Sequence, residues 1–340
     1  MPISGLANPQ VSRFCWQYLQ LESAPELPDG EVLRDEEAQE AIYKRLFADD
    51  AIALPPPRRY QLRIFKELIA RVESAILNWD QHGISDNLMA VLSDLLSQPL
   101  PAEATAAQQR CYVTYYLSRL QTEPSAPDAQ IGLLESRLLI SASGTTGLRT
   151  WEAALHLGQY LCANPSLVKN KRILELGTGT GYLAVLCAKY LGADHVIASD
   201  GSDEVVNKLL DSFFLNGLQE SDKVSAAGLK WGRALEGTDE HAWNGGRKMD
   251  MVLGADITYD VSVIPALVGT LEELAGLFPG VSILIAATER NRATFESFLN
   301  VCEKRGFALI HESFPVTPRT EQTGPFYNDE SPIHICQLRM

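Results

Sequence analysis

The sequence predicts an α/β protein: a seven-strand, mainly parallel sheet with helices on both faces, preceded by a helical N-terminal region. Three observations carry this. From Ile173 onward, apolar runs of strand length alternate with stretches of helix length, the order that builds βαβ units. At the head of that series the apolar run Ile173-Leu174-Glu175-Leu176 meets three glycines at alternating positions, Gly177, Gly179 and Gly181, and then a second apolar run after Tyr182. That order reads as buried strand, tight turn and helix start. Before residue 125, apolar residues instead recur at steps of three and four.

The N-terminal elements follow in order. Phe14, Tyr18 and Leu21 place a helix over 11–21, stopped by Pro25 and Pro28. Ala41, Ile42 and Leu46 form the stripe of a second helix over 35–48, and Pro55-Pro56-Pro57 breaks the chain after it. Leu62, Phe65, Ile69, Val72 and Ile76 mark an amphipathic helix over 60–79. The same reasoning predicts helices over 85–98 and 106–120. No catalytic constellation appears in this half, which reads as a packed helical accessory and substrate-recognition region. Residues 124–128 read as a short linker. The expected division is therefore 1–125 and 126–340.

Past the linker, 131–140 alternates loosely and reads as the start of a hairpin ending at 141–147. Thr150 is the expected cap of a helix that begins at Trp151 and carries Leu155, Leu157, Tyr160 and Leu161. Strands are expected from 173 and over 195–200, 224–229, 249–255, 281–287, 307–312 and 333–338. Helices are expected over 182–190, 203–216, 263–276 and 292–304. The last two strands are joined by a Pro- and Gly-containing stretch, 315–332, and not by a helix. That fits a final antiparallel strand.

Composition bounds the function. The 340 residues suffice for one large domain or two ordinary ones. No apolar run reaches the ~18 residues of a membrane span, and the first twenty residues show no secretory signal. The six cysteines, Cys15, Cys111, Cys162, Cys187, Cys302 and Cys336, are far apart and form no C-x-x-C pair; the histidines are scattered too. This predicts a reducing, cytoplasmic setting and no metal site. The net charge of −14 is spread over both halves, −6 in residues 1–150 and −8 in the rest. Nucleic-acid binding needs phosphate neutralisation by Lys and Arg, so the balance argues against a nucleic-acid partner. It suits a basic protein surface or a small molecule.

The glycine turn is the candidate site. A backbone without Cβ can take φ > 0 and lie flat against a ligand, and the next helix points free N–H groups at the loop. The spacing is G-x-G-x-G, with Tyr182 where a dinucleotide fingerprint would place a third glycine, and no Gly-Lys-Ser/Thr closes a P-loop. Glu175 lies two residues before the first glycine. A carboxylate there repels phosphate and suits a ligand with a positive end, as S-adenosylmethionine has in its amino group and sulfonium. Asp200 ends the next strand, 25 residues after Glu175, near the distance at which a second-strand acid meets ribose hydroxyls. It also stands where a helix cap would. Trp231, after the third strand, offers a flat face for adenine, although a core tryptophan would read the same. Asp256 ends the fourth strand, where an acid is costly unless solvated or paired. Tyr259 lies three residues on, so both side chains can face one pocket.

Together these residues resemble the seven-strand, Rossmann-like S-adenosylmethionine-dependent methyltransferases, whose first motif is E-x-G-x-G-x-G. From about Leu133 to the end, the chain looks like the protein-lysine methyltransferases of that fold. Their fourth-strand motif D/E-x-x-Y/F is matched by Asp256-Ile257-Thr258-Tyr259, their upstream tryptophan by Trp151, and their Trp-Gly pair by Trp231-Gly232. The helical N-terminal half and Ala287-Thr288-Glu289-Arg290-Asn291 look most like the elongation factor 2 lysine methyltransferases. The resemblance implies a cytoplasmic, monomeric enzyme acting on a protein, elongation factor 2, without nucleic acid or membrane. It implies a cofactor site of Trp151, Glu175, Gly177, Thr178, Gly179, Asp200, Trp231 and Ala255, with Asp256 and Tyr259 as the catalytic pair that receives the lysine. Other readings stay open: a methyltransferase acting on a small molecule, RNA or another protein; a non-catalytic cofactor-binding module; and a dinucleotide oxidoreductase, which the glycine spacing disfavours.

Overall fold

The computed structural model describes residues 8–100, 110–121, 128–136, 146–233, 235 and 243–340. The chain divides into two compact units, residues 1–139 with 323–326, and residues 140–322 with 327–340.

The first unit contains α1 (Pro9–Leu19), α2 (Gly30–Leu33), α3 (Glu36–Leu46), α4 (Arg58–Ala75) and α5 (Asp86–Ser97). Asn8 starts α1 by accepting from the N–H groups of Gln10 and Val11, with Pro9 in the first turn. The predicted stripe of α4 is buried, and Leu62, Phe65, Ile69, Val72 and Ile76 share one core with Phe14, Tyr18, Ala41, Ile42 and Leu46. Each large aliphatic or phenylalanine side chain among these contributes ~1.5–3 kcal/mol of burial, so the core, more than helix propensity, holds these helices.

Of the predicted helix over 106–120, residues 111–116 are instead a strand, and only Ser118–Leu120 turns as a short 3-10 helix. β1 (Cys111–Tyr116) pairs antiparallel with β2 (Gln130–Glu135), with Val113 opposite Leu133. The run Cys-Tyr-Val-Thr-Tyr-Tyr is β-branched and aromatic, and such side chains pack better on a pleated surface than on a helix. Residues 106–109 lie outside the described residues, as do 124–127 of the expected linker and 137–145 of the expected hairpin. Residues 323–326 belong to this unit through their hydrogen bonds. The N–H of Phe326 donates to Gln20 Oε1 at 2.8 Å, Gln20 Nε2 donates to the Phe326 carbonyl, and Ser118 Oγ donates to the Gly324 carbonyl at 2.7 Å.

The second unit runs α6 (Glu152–Ala163), β3 (Arg172–Leu176), α7 (Tyr182–Lys189), β4 (His195–Asp200), α8 (Asp203–Leu215), β5 (Val224–Gly228), β6 (Met251–Ala255), α9 (Ile264–Leu277), β7 (Ser282–Thr288), α10 (Arg292–Lys304), β8 (Ala308–His311) and β9 (Ile333–Arg339). Seven strands form one sheet in the order β5-β4-β3-β6-β7-β9-β8. The first five of these are mutually parallel. β9 lies antiparallel between β7 and β8, as the helix-free connection predicts. β3 is central and its Ile173, Leu174 and Leu176 are fully buried. Its neighbours are β4 on one side and β6 on the other, so strand order reverses at β3. Ligands of such sheets bind outside the strand C-termini at that point.

Candidate cofactor and methyl-transfer site

The glycine loop opens from β3 at this switch point. Gly177, Gly179 and Gly181 all have positive φ, at 61°, 54° and 83°. At Gly177 space is as restrictive as conformation, because an added Cβ would lie 2.6 Å from Ile257 Cγ2 and 3.4 Å from Trp231 Cζ2. An added Cβ on Gly179 would meet the Gly147 carbonyl at 3.3 Å. The loop therefore lies tightly under residues 147–150 and the turn after β6. Thr150, the expected cap of α6, instead shares a 2.7 Å hydrogen bond with Thr180 Oγ1, and Trp151 is the N-cap residue, without a side-chain cap.

Two carboxylates flank the loop. Glu175 is only 3% exposed and accepts from Thr178 Oγ1 at 2.7 Å. Burial pushes its pKa up to about 8. The hydrogen bonds from Thr178 and the Ala184 N–H oppose the rise, and the nearby Asp200 adds to it. Asp200 ends β4, where its two oxygens accept from the N–H groups of Ser202 at 3.0 Å and Gly179 at 3.3 Å. Burial raises its pKa as well, against the backbone hydrogen bonds of Ser202, Gly179 and Gly201. Among the described residues no Lys or Arg pairs with Glu175, and a ligand with an ammonium or sulfonium end would supply that charge. This donor set fits S-adenosylmethionine.

A cavity of about 550 Å³ joins these groups. Trp151, Glu175, Gly177, Thr178, Gly179, Asp200, Trp231 and Ala255 all line it, as do Asp256 and Tyr259. The sequence-predicted residues are brought together without exception. Trp231 stands just past β5, beside the loop, and Ala255 ends β6. Trp151 forms the opposite wall. Its indole N–H donates to the Thr146 carbonyl at 3.0 Å, and the guanidinium carbons of Arg149 and Arg290 lie 4.4 and 5.0 Å from its ring centroid.

The pair after β6 divides by environment. Tyr259 is 56% exposed at the cavity mouth. Asp256 is 8% exposed with φ at +53°. Its oxygens accept from the Ala153 N–H at 3.2 Å, the Thr288 N–H at 2.9 Å, Thr288 Oγ1 at 3.0 Å and the Arg290 guanidinium at 3.3 and 3.4 Å. These bonds are those of an acid that orients chain segments around it. Arg290, Glu152, Thr288 and Arg149 carry no role in the sequence reading. The signal for Thr288 and Arg290 was their position, the one at the end of a parallel strand and the other just past it, at the level of the site. Among the described residues no group of three or more His, Cys, Asp or Glu side chains is placed to hold a metal ion.

Comparison with known proteins agrees with this geometry. A family model described as lysine methyltransferase matches residues 135–305. The protein-lysine N-methyltransferase EFM3 of Chaetomium thermophilum is 69% identical over 332 residues, covering 98% of this chain and 98% of that protein. The human protein-lysine N-methyltransferase EEF2KMT is 28% identical over 329 residues, covering 93% and 88%. The Saccharomyces cerevisiae EFM3 is 33% identical over 195 residues, covering 53% and 55%. A glycine loop flanked by the buried Glu175 and the half-buried Asp200, on a sheet of this topology and with near-complete alignment to such a relative, leaves one assignment: the chain belongs to the protein-lysine methyltransferase family.

Proposed function

We propose that the lysine methylated by this enzyme lies on translation elongation factor 2, and that the cavity around Gly177 both binds the methyl donor and receives that lysine. As a protein-lysine N-methyltransferase, the chain takes a protein substrate and S-adenosylmethionine as donor. Support for elongation factor 2 comes from the alignment along most of the human EEF2KMT and from the resemblance of the helical half and residues 287–291. The observation that carries the donor-site part of the reading is the glycine loop flanked by the buried Glu175 and by Asp200.

The donor supplies a methyl group on a sulfonium, and transfer breaks that C–S bond as the lysine nitrogen forms a C–N bond. Glu175 would hold the positive amino end, Asp200 would accept from the ribose hydroxyls, and Trp231 would present its face to the adenine. Lysine has a reference pKa of about 10.4 and reacts only as the neutral amine. A narrow cavity that removes water lowers that pKa and fixes the line of approach. Tyr259 stands at the mouth, where its ring packs along the lysine stem and the cationic nitrogen. Asp256, its charge met by Arg290, orients the turn that carries Tyr259.

We read the enzyme as a cytoplasmic monomer whose helical unit recognises the protein substrate. No described helix is long and apolar enough to cross a membrane, and the net charge of −14 favours a protein over a nucleic-acid partner. The test is incubation with S-adenosylmethionine and purified elongation factor 2, followed by peptide mass mapping. A +14 Da series on one lysine is expected. An unmodified elongation factor 2 from an enzyme that binds S-adenosylhomocysteine would overturn the substrate assignment.

A further inference from the structure

Behind the cavity wall, three segments distant in sequence meet at one charge cluster. Arg290 lies just past β7, outside the cavity lining. Its guanidinium donates to both Asp256 oxygens, at 3.3 and 3.4 Å, and to Glu152 in the first turn of α6. The same guanidinium sits over the Trp151 ring. Burial alone would lower the Arg290 pKa, but the Asp256 and Glu152 carboxylates outweigh it and raise it. Glu152 also pairs with Arg149 at 3.8 Å. Asp256 completes the junction by accepting from the Ala153 N–H and from Thr288.

The junction governs the shape of the site through Asp256. A non-glycine residue at φ +53° persists where its surroundings over-determine it. The next residue, Ile257, is the one whose Cγ2 would lie 2.6 Å from a Cβ on Gly177, and Tyr259 follows at the mouth. The turn 256–259 therefore sets both the ceiling over the glycine loop and the place of Tyr259. On the other side, Glu152 and Ala153 fix the start of α6, and with it Trp151.

We propose that Arg290 is a positioning residue for methyl transfer: by bridging Asp256 and Glu152 across the Trp151 ring, it holds two walls of the cavity in register without touching donor or substrate. The inference rests on the cavity assignment above, not on the identity of the protein substrate. A planar fork that bonds two carboxylates and stacks on an indole has no equivalent in lysine, so charge alone does not replace it. Small displacements at a reacting centre cost rate steeply, up to ~100-fold for an ångström.

The test compares full-length wild type with Arg290→Ala, Arg290→Lys and Glu152→Gln. Melting temperature, S-adenosylhomocysteine affinity by calorimetry, and kcat and KM for methylation of elongation factor 2 are measured on each. Arg290→Ala is expected to weaken S-adenosylhomocysteine binding at least fivefold and to lower kcat at least tenfold, with little change in KM for the protein. Arg290→Lys should recover less than half of either loss, and Glu152→Gln should show a smaller loss in the same direction. Where Arg290→Ala does not fold, the lysine and glutamine variants decide. A lower melting temperature with wild-type binding affinity would overturn the proposal and leave Arg290 an ordinary ion pair. A wild-type enzyme that binds S-adenosylhomocysteine but leaves elongation factor 2 unmethylated counts against that substrate alone, and the binding comparison still decides Arg290.

Discussion

Replacing Glu175 with glutamine removes a carboxyl whose titration the fold has displaced, and the size of the effect follows from its surroundings. In the folded protein Glu175 titrates at about 8, against an ordinary 4.5, chiefly because it is buried. At 1.36 kcal/mol per unit, that displacement amounts to about 5 kcal/mol. The folded-state pKa is raised, so the contribution is fully present below about pH 4.5 and is lost as the pH rises through about 8. Within that window the slope is about 1.4 kcal/mol per pH unit. Between pH 5.5 and 7.5, wild type should therefore lose about 2.5 kcal/mol relative to Glu175→Gln, whose amide does not titrate. For a unit of this size that corresponds to about 5–10 °C. The assay is thermal unfolding of both proteins by circular dichroism from pH 5 to 8, with the difference curve isolating the one group. Saturating S-adenosylhomocysteine should flatten the wild-type curve, because its ammonium supplies the counter-charge that burial denies. Parallel wild-type and Glu175→Gln profiles across the range would show instead that Glu175 is solvated or already paired.

Tyr259→Ala should lower kcat/KM for the protein substrate by at least roughly tenfold and Tyr259→Phe by much less, because only the first removes the ring; S-adenosylhomocysteine titration should be unchanged for both. Asp256→Asn cannot accept from the Ala153 N–H, Thr288 and Arg290 together, so it should cost about 1–3 kcal/mol in urea unfolding as well as at least tenfold in kcat/KM, about 1.4 kcal/mol; an unchanged unfolding midpoint would deny it the orienting role. A fragment starting near residue 126 removes Gln20 and Ser118, the partners of Phe326 and Gly324. It should therefore aggregate or melt well below the full chain, which light scattering and calorimetry will show.

Local pattern was legible in the sequence; contacts across long separations were not. The stripe of α4 and the strand–glycine–helix order at β3 depend on residues within a few turns of one another, and both stand as read. Asp200 and Glu175 were legible because adjacent parallel strands bring successive strand ends to one level. The strand β1 was missed because apolar spacing alone also fits a helix, and its partner β2 lies beyond an intervening segment. The aromatic and β-branched run Tyr112 to Tyr116 was the competing signal. Thr150 was misread as a cap because its partner, Thr180, is 30 residues away. Arg290 went without a role for the same reason on a larger scale: its carboxylates are at 152 and 256, and only the assembled sheet brings them to it.

The cavity between Glu175 and Asp200 is assigned as the donor site. The direct measurement is calorimetric titration of S-adenosylhomocysteine into wild type and Asp200→Ala, with NAD as the control ligand. Wild type should bind at one site and give no heat with NAD. Asp200→Ala should bind about 2–4 kcal/mol more weakly, a loss of about 30- to 700-fold, with an unchanged far-ultraviolet spectrum. Equal affinity in the two proteins would make Asp200 a turn-forming acid and nothing more, and heat from NAD alone would contradict the assignment of the cavity itself.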